Sequence, residues 1–172
     1  WFGNRDGGVA RLRPSGKMEI VPPPAAWPII SAVSVAPHPA GGIWVTAGPG
    51  IFRIADNAAP TMEQVAHPAL PIIRCTLVAK SGALWFSAEP DRLGRLVNGT
   101  VTLFGREAGL GGKQVRAIAE DASGQIWCGM ADGTLWRQRG ERFERVVLDR
   151  PAGVINAIHH EADGTVWLGT GE

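Results

Sequence analysis

The chain has 172 residues, 45% of them hydrophobic and 19% charged, and 17 basic against 16 acidic side chains leave a formal net charge of +1. A balance that near neutral offers no field to draw in a phosphate backbone or an anionic lipid surface, which sets nucleic acid and membrane surfaces aside as partners. Apolar stretches run for only a handful of residues between Pro, Gly or charge, far short of the roughly 20 needed to cross a bilayer, so no membrane insertion is expected of this segment.

The 23 Gly and 13 Pro call for frequent turns and for helices that are short or absent. Cys75 and Cys128 are too few for a disulfide framework and lack metal-ligand spacing. Trp1 stands where a start Met would, and the expectation is a piece of a longer polypeptide.

In chain order, the first element is the strand opened by Trp1-Phe-Gly3, followed by a turn at Asn4–Asp6 and a strand holding Val9 and Arg11. A Pro-rich segment, Pro22-Pro-Pro-Ala-Ala-Trp-Pro28, then holds Trp27 stiffly. The pattern returns with Trp44 and Arg53, again with Trp85 and Arg95, again with Trp127 and Arg137, and ends on Trp167. The Trp intervals are 43, 41, 42 and 40 residues, and each Arg follows the last by 42. Gly41, Gly82, Gly124 and Gly164 each precede a Trp by three, so a tight turn leads into every Trp strand.

One unit can be read in full. Val115–Asp121 is a strand, Ala122–Gly124 a turn and Gln125–Met130 a second strand. Ala131–Gly133 turns into Thr134–Gln138, and after Arg139–Glu141 a fourth strand, Arg142–Val147, alternates apolar and polar residues. Four short antiparallel strands per period of about 42 residues describe one β-propeller blade. Helical repeats of this period need amphipathic stretches of about 12 residues, and none occurs.

The expected fold is therefore all-β, a β-propeller arc of about four blades. A partial blade spans 1–28, blades follow at about 29–71, 72–113 and 114–153, and a partial blade spans 154–172. The ends fall in the same register, which suits either a four-bladed ring closed from both termini or, as preferred here, an arc of a larger ring. By alignment Cys75 and Cys128 fall on positions held elsewhere by Ala and by Val, Phe or Leu, the places of buried small hydrophobes. The repeated Arg reads as a structural partner within or between blades.

Two resemblances attach to these residues. Gln114–Gly129 and Val154–Thr170, with the Ala108-Gly-Leu-Gly-Gly112 linker, resemble two-component regulator propeller repeats. That resemblance implies an extracytoplasmic, periplasmic sensor region of a bacterial signalling protein, non-catalytic itself, whose parent carries a histidine kinase or diguanylate cyclase output and could pair as a homodimer. Leu84–Glu89, Leu93-Gly-Arg-Leu96 and Gly99–Phe104 are similar to virginiamycin B lyase-like propellers. The lyase alternative implies a His and Glu constellation with a divalent metal, which has no residue-by-residue match in this chain.

For chemistry, His159-His160-Glu161 is the densest cluster of candidate ligands, yet neighbours on a strand point to opposite faces, so no metal or other cofactor is expected. Asp121 precedes a tight turn and is expected to cap it. Binding falls to the rim formed by the turns between second and third strands and by the inter-blade segments. The candidate ligand-binding residues there are Asn4, Asp6, Trp27, Glu89, Asp91 and Asp132, and the expected partner is a small molecule or carbohydrate, or another propeller domain.

Overall fold

The computed structural model describes residues 1–3, 8–23, 33–47, 50–57, 59–66, 72–88 and 90–171. The first sheet has three strands, β1 (Phe2–Gly3), β2 (Val9–Leu12) and β3 (Met18–Val21). The second runs β4 (Val33–Pro37), β5 (Ile43–Ala47), β6 (Gly50–Ile54), β7 (Met62–Ala66). The third runs β8 (Thr76–Val78), β9 (Leu84–Ala88), β10 (Arg92–Val97), β11 (Thr100–Phe104). The fourth runs β12 (Val115–Glu120), β13 (Ile126–Met130), β14 (Leu135–Arg139), β15 (Arg142–Val146), and β16 (Ile155–His160) with β17 (Val166–Thr170) begins a fifth. All pairings are antiparallel between chain neighbours, and the first strands β4, β8, β12 and β16 lie against one another. This is an all-β propeller arc of four-stranded blades.

The second strands carry the packing. Every residue of β9 and of β13 is buried, so these strands are covered on both faces, by the sheet before and the sheet after. Apolar clusters bridge successive sheets: Val9, Val21, Val45 and Phe52; then Ile51, Ile73, Leu84 and Phe86; then Trp85, Leu93, Cys128 and Phe143; then Trp127, Leu135 and Ile155. At the two ends the same positions lie open. Trp85 is 3% exposed and Trp127 9%, whereas Trp167 is 61% exposed and Phe2 53%.

The turn into each Trp strand is one device repeated. Gly41, Gly82, Gly124 and Gly164 all have φ between 83° and 91°, and each donates its N–H to the carbonyl three residues back, on His38, Ala79, Asp121 and Glu161. A left-handed residue closing a type I turn is where glycine carries no steric penalty. In the fourth sheet Asp121 completes the turn: its Oδ1 accepts from Ser123 N–H and hydroxyl and from Gln125 N–H, while Oδ2 accepts from Trp127 Nε1 at 2.8 Å.

Trp and Arg are direct cross-strand partners, Trp44 with Arg53, Trp85 with Arg95 and Trp127 with Arg137. Arg11, Arg95 and Arg137 lie over the rings of Trp1, Trp85 and Trp127 at 5.1, 5.5 and 5.3 Å. The four arginines differ in what satisfies their charge. Arg11 binds Glu19 in its own sheet and Asp56 and the Asn57 carbonyl in the next, Arg95 binds Glu141 in the next, and Arg137 binds Glu144 in its own. For Arg53 no ion pair forms among the described residues.

Three local features depart from the sequence reading. The first strand of the third sheet is only three residues long, because Ser87 Oγ accepts the N–H groups of Arg74 and Cys75, at 2.8 and 3.2 Å, in place of ladder bonds. A 3-10 turn, Arg106–Ala108, sits in the connector to the fourth sheet and drops Leu110 into the core. Cys128 is fully buried as expected, but Cys75 is only half-buried.

Trp85→Ala should cost about 3–5 kcal/mol and Trp167→Ala about 1 kcal/mol or less, measured by urea unfolding; equal losses would contradict burial by neighbouring sheets. A second expectation concerns acid. Burial pushes the Asp121 carboxyl up, but hydrogen bonds from Ser123, Trp127 and Gln125 outweigh it and hold it at about 2. With an unfolded value of about 3.9, this stabilisation is full above that pH and drains away as pH falls toward about 2. Asp121→Asn should therefore flatten the fall of the urea midpoint across that acid window.

Candidate functional site

Antiparallel alternation puts the turns between second and third strands at the same end of the arc as the connectors between sheets. The backbone laces the two together: Gln114 N–H donates to Pro90 O, Ala131 N–H to Lys113 O and Gln114 O, and Gly171 N–H to Val154 O. In its described part, around Pro90, Lys113, Ala131 and Val154, the rim is thus a surface of loops held to the strands beneath it.

Of the expected rim residues, Asn4, Asp6, Trp27 and Glu89 lie outside the described residues. Asp91 is half-buried beside the 3-10 turn, its Oδ2 4.0 Å from Arg106 Nε. Asp132 is exposed at the tip of the turn between β13 and β14, where its Oδ1 accepts from Thr134 N–H and from the Thr134 hydroxyl at 2.7 Å. The Thr134 hydroxyl oxygen in turn accepts from Trp136 Nε1 at 3.0 Å. One carboxylate oxygen of Asp132 therefore holds the turn.

Asp132 and Thr134 form one wall of a cleft of about 380 Å³; the other is the chain leaving the fourth sheet, with Arg145, Val147, Asp149 and Arg150. Gly133 makes the fit possible. Its φ is +77°, and a Cβ there would overlap the carbonyl oxygen of Ala152 across the cleft base. The walls offer both signs of charge around an apolar patch, with Val147 89% exposed. Such a surface suits a ligand or peptide with charge at its ends and an apolar middle. The turn was legible in the sequence. Arg145 and Val147 were not, because a strand end carries no signal of where its connector will fold back.

The histidine pair is split, as alternation on a strand requires. His159 is exposed, while His160 lies against the Trp127 ring at 4.9 Å, where burial lowers its affinity for a proton. Among the described residues no three His, Cys, Asp or Glu side chains gather as a metal site.

No family model matches the chain, and no curated protein matches it. Solved structures match over nearly all of it. Virginiamycin B lyase from Staphylococcus aureus, in a catalytically inactive form with quinupristin, aligns at 19% identity and a TM-score of 0.80, covering 97% of this chain and 57% of that one. The extracellular domain of BT4673 from B. thetaiotaomicron, assigned to one component and hybrid two component systems, aligns at 16% identity and 0.75, covering 99% and 24%. YCF48 bound to D1 peptide aligns at 12% identity and 0.69, covering 96% and 56%. Both likenesses read from the sequence thus recur among structures of this fold, and at these identities they show the fold alone. The chain spans little more than half of the lyase and about a quarter of the BT4673 domain.

Gly133→Ala should destabilise the protein by more than about 1 kcal/mol, since it meets both the left-handed backbone and the Ala152 carbonyl. Arg150→Ala and Val147→Ala, on the open wall, should stay within about 0.5 kcal/mol of the parent, as read by urea titration.

Proposed function

We propose that this chain is part of an extracytoplasmic sensor propeller of a bacterial signalling protein, and that it recognises a small molecule, a carbohydrate or another propeller domain without transforming it. The observation that carries this reading is the cleft between Asp132 and Arg150, a preformed recess on a rim of turns tied to the sheets below. Occupancy of such a recess bridges a turn and an inter-sheet connector, so it favours one packing of the arc over another and biases an output domain elsewhere in the parent. The extracellular setting of BT4673 supports the location proposed, and YCF48, a structure of similar fold bound to D1 peptide, is in keeping with a polypeptide partner.

The test uses the full-length protein. The expected result is a kinase or cyclase output that responds to ligand and loses that response, with an unchanged circular dichroism spectrum, in Asp132→Ala combined with Arg150→Ala. An intact response would overturn the cleft as the sensing site. Metal-dependent opening of quinupristin by the protein would instead establish the lyase reading that the 0.80 TM-score keeps in view.

A further inference from the structure

The edge of the arc opposite that rim carries a different recess, between the second and third sheets. It has a volume of about 350 Å³ and is lined by His38 and Pro39 from the turn between β4 and β5, by Trp44, by Ser81, and by Leu96 and Asn98. Two buried nitrogens have no hydrogen-bond partner, Nε1 of Trp44 on its wall and Nε of Arg53, the cross-strand neighbour of Trp44. Leaving such donors dry and unpaired costs stability, the more so for a group that is always charged.

The repeat shows what is missing. Arg11 receives a carboxylate from Asp56 and Arg95 one from Glu141, which stand 45 and 46 residues further on, in the turn between third and fourth strands of the next sheet. The same steps from Arg53 reach Asn98 and Gly99, and both line the recess. Trp127 and Trp167 donate their indole N–H to Asp121 and Glu161, six residues earlier. Six residues before Trp44 stands His38, whose ring lies over the indole at 4.6 Å in place of a carboxylate. Here the acid of the following sheet and the acid six residues before the Trp are both replaced, by Asn98 or Gly99 and by His38. Glu63 faces Arg53 across β6 and β7 but is exposed and forms no ion pair with it.

We propose that this recess binds a small organic carboxylate, which takes the position that Asp56 and Glu141 fill for the arginines of the neighbouring blades. The bound carboxylate accepts from the Arg53 guanidinium and from Trp44 Nε1, and Ser81 and Asn98 add neutral polar groups. Its apolar portion packs on Pro39 and Leu96. His38 Nδ1 already accepts from Ala40 N–H at 3.0 Å, which leaves Nε2 as the donor of the neutral ring. Burial and the Arg53 charge both lower the proton affinity of His38, so the ring stays neutral and selectivity rests on Arg53. The site is distinct from the cleft proposed for sensing, at the other edge of the arc.

The experiment is a titration of the intact chain followed through its indole N–H resonances, with the Trp44 signal assigned by its loss in Trp44→Phe. Benzoate and glucuronate serve as carboxylates, benzamide and glucose as neutral counterparts. The expected result is a saturable shift of the Trp44 resonance with at least one carboxylate and with neither neutral compound, and a loss of affinity of about tenfold or more in Arg53→Gln. Asn98→Asp, which keeps a residue tolerant of the positive φ of 49° found there, should abolish binding and raise the thermal midpoint by supplying the carboxylate internally. No saturable shift, an equal shift with the neutral compounds, or undiminished affinity in Arg53→Gln would overturn the proposal. So would a displacement of the Trp44 resonance in Glu63→Gln as large as in Arg53→Gln, since the cross-strand acid would then occupy the guanidinium in solution. None of these outcomes bears on the cleft at Asp132.

Discussion

A blade of this protein cannot bury its own centre. Its second strand is apolar on both faces, as Leu84–Ala88 and Ile126–Met130 show, and a single sheet covers neither. Each sheet therefore depends on the one before and the one after, and the stability of the arc is a sum over adjacent interfaces. Three of the tryptophans on these strands register the dependence, since Trp85 and Trp127 are nearly buried between two sheets while Trp167, with no described sheet after it, lies in solvent.

Around that apolar middle the polar atoms of the repeat are handled by a small set of exchangeable parts. The indole N–H of Trp127 and of Trp167 goes to an acid at the start of the preceding turn, and the guanidinium of Arg11, Arg95 and Arg137 goes to an acid on its own outer strand or on the next sheet. Because these partners sit on turns, they can be replaced without disturbing the ladder beneath. The interface between the second and third sheets has lost the acid of the following sheet and the acid before its Trp, and Trp44 Nε1 and Arg53 Nε are left without partners beside a recess that Trp44 lines. Function in a repeat fold can arise this way, by subtraction at one copy.

Much of the architecture was legible in the sequence because it rests on spacing. The Trp register placed the second strands, the glycine three residues earlier placed the turns, and the four positive φ values at Gly41, Gly82, Gly124 and Gly164 show why no other residue recurs there. The short β8 was not legible, since its cause is a hydroxyl on the opposing strand that captures two backbone N–H groups. The partners of the arginines were hidden for a related reason. Asp56 and Glu141 differ in offset by one residue and belong to turns of the following sheet, so no local window contains both halves of the pair. The rim was legible as a set of loops, whereas the cleft on it depends on a connector folding back over Gly133.

The two-stranded sheet at the end of the arc has a kinetic meaning. Within these residues β16 rests on β12 and β13, whereas β17 pairs with β16 alone and leaves Trp167 in solvent, so in this stretch of chain it can fray without opening any interface deeper in the stack. Protection of backbone amides from solvent exchange should then rise inward from both ends and peak on β9 and β13. Within these 172 residues resistance to opening is greatest in the middle of the stack, where each sheet has a neighbour on both sides.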